Sequence, residues 1–312
     1  MALLPLAASA DKLVIYTSQP NADAQQTVDA FKAANPGTEV EWVRDGTTKI
    51  MAKLRAEFAA GAPQPDVLLI ADSVTMAGLK AEGHLMSFAE ADVSAYDPAL
   101  HDKDRTWFST KLITTGIVYN TNAGIAPKSW KDLVTPEMKD KVTMPSPLTS
   151  GAATIHMVTL TADPRLGWGY YEALAANGTQ AKGGNGGILK AVAGGEKAAG
   201  VIVDFLPIRE AQKGAPVAFV FPEEGVSAVT EPVAILSTAK NPDAAKKFVS
   251  FLLSPAGQKL AADQGYLPAH PGVQAPEGFP SRDKIRLMAF DPADALANDA
   301  AYKKKFIDIF GE

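Results

Sequence analysis

Four short polar runs share one position: each follows an apolar, β-rich stretch and precedes a segment with helical spacing. They are Ser18-Gln19-Pro20, Asp45-Gly46-Thr47-Thr48, Asp72-Ser73 and Thr149-Ser150-Gly151-Ala152. Open α/β sheets bind ligands beyond the carboxyl ends of their strands, where such turns lie. A helix start adds unpaired N–H donors and the positive end of the peptide dipole, so the chemistry on offer is the holding of an anion. The run from Thr149 to Ala152 is the strongest of the four, because Gly151 admits close backbone approach and hydroxyls flank it. Taken singly, each turn reads first as an ordinary helix cap. The weight lies in their number.

Bond-making chemistry finds little support. No G-x-S-x-G elbow is present, and the histidine nearest to Ser150, His156, lies further along the same helical segment. His84, His101, His156 and His270 are scattered without metal-ligand spacing. The run Gly183-Gly184-Asn185-Gly186-Gly187 lacks the Lys-Ser/Thr of a phosphate loop and reads as a glycine hinge or turn, with the Asn185 amide offered to a cleft. The absence of cysteine excludes disulfides, thiolate metal sites and a cysteine nucleophile. Tyr170-Tyr171 reads as packing, one ring toward the core and the other on the surface. No enzyme activity and no cofactor are expected.

The elements that would position the polar runs alternate strand and helix, the pattern of an α/β fold with largely parallel sheets. Strands are expected over 12–16, 39–43, 66–70, 117–119, 142–144, 200–203 and 230–236. Helices are expected over 22–34, 49–60, from Ser73 as N-cap to Gly83, and over 151–161, 167–176, 188–193, 207–212 and 242–253, with another from about Ala256. A chain of 312 residues divides more readily into two lobes than it grows one core. Lobe 1 is expected over 11–115 plus about 235–290. Lobe 2 is expected over 116–234, with the C-terminal helix 291–312 as an optional addition.

With 46% hydrophobic and 21% charged residues the composition is that of a soluble globular protein. A net charge of −5 with no concentrated basic stripe argues against a nucleic-acid partner. Met1 to Ala10 reads as the remainder of a secretion signal, with Leu3, Leu4 and Leu6 before the small residues Ala8-Ser9-Ala10. An added leader is the alternative. No other stretch approaches the ~20 apolar residues of a membrane span.

Several runs together resemble the ferric-ion and phosphonate branch of the periplasmic solute-binding proteins of ABC transporters. They are Tyr16-Thr17-Ser18, Val43 to Thr47, Pro65-Asp66-Val67, Ile117 to Asn120, Ser150-Gly151-Ala152, Gly167 to Tyr171 and Ala244 to Gly257. The resemblance implies a type II periplasmic-binding-protein fold: two α/β lobes joined by two crossing strands that close on a ligand by hinge motion. It also implies a periplasmic location, a cognate ABC permease and a monomer. Ferric-binding members carry two adjacent tyrosines where this chain has Phe205-Leu206, and often a histidine where it has Ser18-Gln19-Pro20. The runs Val43 to Lys49, Met144 to Ala153, Val203 to Glu210 and Phe221 to Leu236 are similar to the 2-aminoethylphosphonate subgroup, some relatives of which bind γ-aminobutyrate.

On that resemblance the anionic end of the ligand is assigned to Thr149, Ser150, Gly151 and Ala152. Ser18, Asp45, Thr47 and Ser73 come from the first lobe, and Asn185 from the glycine run. An ammonium end needs a carboxylate, for which Asp204 and Glu224 are the candidates; Asp204 serves equally as a helix cap. Tyr119, on the crossing segment, and Phe108 would wall the alkyl chain, or else pack in the hinge or core.

Overall fold

Strand β1 (Asp11–Thr17) alternates its side chains between two layers. Leu13 and Ile15 enter one hydrophobic cluster, while Val14 and Tyr16 face another. A strand buried on both faces needs helices on both faces, and the rest of the chain supplies them. The computed structural model describes residues 11–311, so the leader expected over residues 1–10 falls outside the described residues.

After β1 come α1 (Asn21–Ala34), β2 (Thr38–Arg44), α2 (Thr47–Ala59), β3 (Val67–Leu69), α3 (Ser73–Ala81) and β4 (Trp107–Ser109). The chain then crosses into β5 (Lys111–Asn120), β6 (Val142–Met144), α4 (Gly151–Ala162), α5 (Gly167–Ala176) and β7 (Gln180–Ala181). Next are α6 (Asn185–Ala193), β8 (Ala199–Val203), α7 (Phe205–Gln212), β9 (Val217–Val220) and β10 (Ser227–Val229). The return passage brings β11 (Pro232–Ile235), α8 (Pro242–Leu253), α9 (Pro255–Asp263), β12 (Leu267–Pro268) and α10 (Pro292–Phe310).

These strands make two sheets. The first has the order β2-β1-β3-β11-β4, with β1 parallel to β2 and β3, and β11 antiparallel to β3 and β4. On one face Phe31 of α1 meets Phe248 of α8 edge-on at 5.1 Å; on the other lie Ile50 and Leu54 of α2 with Met76 and Leu79 of α3. The second sheet runs β10-β5-β8-β6-β7, with β9 and β12 also paired to β5. Ile117 and Val201 face Tyr171 and Phe306, whereas Val118 and Ile202 face Ile188 and Val192 of α6. Tyr170 and Tyr171 are both buried, against the expectation that one would be at the surface. Phe306 and Phe310 of α10, far along the chain, close over Tyr171.

Sheet membership puts the outward crossing at Thr110, a few residues before the expected 115/116 boundary, because β5 already pairs within the second sheet from Lys111. The return crossing is at Thr230-Glu231, since Pro232 pairs with Ser109 in the first sheet. The two crossings are tied side by side: Thr110 and Lys111 N–H groups donate to the Thr230 carbonyl, and the Thr110 hydroxyl donates to the Glu231 carbonyl at 2.7 Å. Glu231 has a φ of 39°, a left-handed conformation that costs a residue with a Cβ about 1–3 kcal/mol.

Candidate ligand-binding site

A cavity of about 370 Å³ lies between the lobes against the crossing segments. Lobe 1 lines it with Ser18, Pro20, Arg44 to Thr47 and Ala71. Lobe 2 contributes Thr149, Ser150, Ala152, Gly184 to Gly187, Val203, Phe205 and Leu206, and the crossings add Ile113, Val229 and Glu231. Five helices, α1, α2, α4, α6 and α7, begin at or beside this wall. Their dipoles present positive ends to one small volume. Three of them, α1, α2 and α6, have Pro20, Gly46 and Gly184 at the cap position and no side-chain cap bond. The first N–H groups of a helix have no acceptor within it, and here the cap residue supplies none.

The side chains continue this bias. The Ser18 hydroxyl is buried and has no hydrogen-bond partner. Arg44, in the last position of β2, donates its Nε to the Gln19 carbonyl at 2.8 Å, which leaves the two terminal nitrogens of the guanidinium for a ligand. No carboxylate among the described residues pairs with it. Two carboxylates also reach the cavity. Asp45 accepts the Gly46 N–H at 2.7 Å and has Lys49 at 3.7 Å. Glu231 is buried, bound through Oε2 to Lys111 Nζ at 2.5 Å and Gln19 Nε2 at 3.2 Å. The site can therefore hold an anion among N–H, hydroxyl and guanidinium donors, with negative charge a short way off at the crossing.

The lobes meet around this volume backbone to backbone at Gly46, and backbone to side chain at Gly151. A Cβ on Gly46 would lie 2.6 Å from the Thr149 carbonyl oxygen, and one on Gly151 2.7 Å from Asp72 Oδ2 and 3.1 Å from Thr47 Oγ1. Only glycine at both positions permits this approach.

The structure brings Ser18, Asp45, Thr47, Thr149, Ser150, Ala152 and Asn185 to the cavity, with Gly151 just behind at the start of α4. The glycine run is not a hinge: Gly184 caps α6 and Asn185 begins it. The Asn185 amide is occupied, donating to Ser150 Oγ at 3.3 Å and accepting the Val203 N–H at 3.2 Å, so it fixes the α4 start against the end of β8. Five other residues are not brought there. Ser73 is the first residue of α3, and Asp72, bound to the Thr75 N–H at 2.6 Å, is the cap in its place. Phe108 is core, edge-on to Phe88. Tyr119 lies near the far end of β5, well past the crossing, and packs against the second-lobe core. Glu224 spends its carboxylate on Ser129 Oγ and the Trp130 N–H.

Asp204 is turned inward. Its Oδ2 accepts the Thr114 N–H at 2.8 Å and the Thr114 hydroxyl at 2.7 Å, and its Oδ1 accepts the Phe205 N–H at 2.7 Å. Burial pushes its pKa up to about 7, against the pull of those donors. The carboxylates that line the cavity are those of Glu231 and Asp45. Arg44 and Glu231 escaped that reading. Arg44 stands directly before a ligand turn, which was a usable signal; Glu231 follows an apolar strand and looks like a strand residue.

Residues 16–259 match the bacterial extracellular solute-binding protein family. A curated relative, the Fe(3+)-binding periplasmic protein of Serratia marcescens, is 25% identical over 98% of this chain and 91% of its own. An uncharacterised protein of Haemophilus influenzae is 29% identical over 90% of this chain and 84% of its own. Among solved structures, the periplasmic binding protein AfuA of Actinobacillus pleuropneumoniae with bound fructose-6-phosphate superposes with a TM-score of 0.88. It is 23% identical and covers 97% of this chain and 99% of its own. That likeness shows the type II periplasmic-binding-protein fold. Two sheets joined by two crossings, a cavity between them and a family match over most of the length agree: the chain belongs to the bacterial extracellular solute-binding proteins.

Proposed function

We propose that this protein is the periplasmic capture component of an ABC uptake transporter, taking a small zwitterion, 2-aminoethylphosphonate or γ-aminobutyrate, and presenting it to a permease by lobe closure. The observation that carries the reading is the cavity's division of charge. Helix starts, the Ser18 hydroxyl and the free fork of Arg44 suit an anion, while Glu231 and Asp45 suit an amine. Planar guanidinium donors match carboxylate and phosphonate oxygens in pairs. Ile113, Val229, Phe205 and Leu206 supply apolar wall for a short alkyl chain. The protein's role is binding alone. It acts as a monomer.

A second reading is a ferric ion, which has the name of the Serratia relative behind it, or an inorganic anion on the same fold. Calorimetry separates the two. The two zwitterions should bind at least thirtyfold more tightly than ethylphosphonate or butyrate, about 2 kcal/mol for the amine contact. Arg44→Gln should weaken them by about 2 kcal/mol or more, and Arg44→Lys should recover only part, because an ammonium is a point charge rather than a fork. Equal affinity for the amine-free analogues would return the site to a simple anion binder.

A further inference from the structure

Behind Phe205, on the side away from the cavity, stands Arg209 of α7. Its guanidinium lies 4.5 Å from the Phe205 ring centroid and 4.6 Å from that of Tyr266. The same group donates three hydrogen bonds, at 3.0 to 3.1 Å, to both carboxylate oxygens of Asp23 on α1. Asp23 is 4% exposed and also accepts the Tyr266 hydroxyl. Its partner on α7 belongs to the other lobe, so this buried ion pair spans the cleft. Gly265 makes room for it: a Cβ there would lie 3.0 Å from Arg209 Nε.

We infer that Arg209 is a positioning residue for capture, holding the cavity wall at Phe205 while tying α7 to α1 in the closed arrangement. An ion pair whose two halves ride on different lobes cannot survive wide separation of those lobes. Opening would break the Asp23 contact and expose the guanidinium. A buried pair with good geometry resists such a break far more than an exposed one. The forked contact to Asp23 needs a planar guanidinium, and the same group lies 4.5 Å from the Phe205 ring centroid, so closing the lobes and setting the wall become one event. The inference rests on lobe motion and not on which cargo is bound.

The chain has no cysteine, so a pair introduced across the cleft reports closure by disulfide trapping without background. Gly78 on α3 and Leu296 on α10 suit this, because a Cβ on Gly78 would lie 3.3 Å from Leu296 Cδ1. The trapping rate of Gly78→Cys/Leu296→Cys under fixed oxidant, with no ligand added, follows the population of closed molecules. Adding Arg209→Gln should slow it by about threefold or more, and Arg209→Lys should fall between the two. A change of less than about threefold, with only the melting temperature lowered, would make the pair a structural prop and overturn the inference. So would failure of the parent pair to trap at all. Should Arg209→Gln not fold, Asp23→Asn, which leaves Arg209 beside Phe205, is read by the same criterion.

Discussion

At the residue scale, Asp204 shows how a helix start at a strand end can be mistaken for a ligand contact. Each of its oxygens is already bonded, so Asp204→Asn should leave ligand affinity within about threefold while costing about 1–3 kcal/mol of stability, because an amide NH2 would face a donor. Its raised pKa gives this a pH signature. A carboxyl whose folded pKa exceeds its unfolded value binds its proton more tightly when folded. Its contribution is therefore present at low pH and lost as pH rises from about 4 to about 7. Denaturant melts of parent and Asp204→Asn across that range should show the slope in the parent and not in the variant. A tenfold or greater loss of affinity in Asp204→Asn would instead put the carboxylate in the site. The sequence shows that position 204 follows a strand; it does not show which way the side chain turns. That is decided by Thr114, ninety residues away in the chain and offering two donors to one oxygen.

At the element scale the sequence was most readable where periodicity is local. The helices at 151, 167 and 242 begin where their apolar spacing and their Ser, Gly and Pro signals put them. Three short strands were not readable, although the equally short β3 and β6 were: β4, β9 and β10 are three or four residues long, and pairing rather than pattern makes them strands. Polar turns identified the strand-to-helix ends that line the cavity, yet the glycine run read as a hinge or turn although α6 starts within it. Glycine is a poor helix former and signals a turn; here it leaves the first N–H groups of α6 uncovered toward the cavity. Close approach gives the α4 start its own test. Gly151→Ala sets a methyl against Asp72 and Thr47, which belong to the opposite lobe. Ligand affinity should fall about tenfold or more while the melting temperature of the free protein stays near that of the parent, since open lobes relieve the clash. Unchanged affinity would mean that α4 and α2 do not close on each other.

For the whole molecule, two lobes followed from length and from strand–helix alternation, and the two crossings from the family resemblance. The position of each crossing did not, because strand pairing, not composition, decides which sheet each residue around β5 joins. Iron provides the test at this scale. Among the residues lining the cavity there is no tyrosine and no histidine, and Phe205 and Leu206 are part of its wall. Ferric titration should produce no phenolate-to-metal absorption band, and ferric citrate should not raise the melting temperature. A ligand at 100-fold its dissociation constant adds about 2.7 kcal/mol, so a null shift is decisive. A visible band would restore the ferric reading.

The contact of Gly46 with the Thr149 carbonyl makes the closed cavity a sieve as well as a clasp. Side chains at a rim can swing aside to admit a bulky guest, but a carbonyl pressed against a glycine has nothing to swing. A solute too bulky for the cavity of about 370 Å³ would therefore not bind in a gradually weakened version of the same complex. It would prop the lobes ajar, and anything that recognises the shut outline would pass it over. Cargo size is then judged by shape at the outer surface, far from the atoms that touch the cargo.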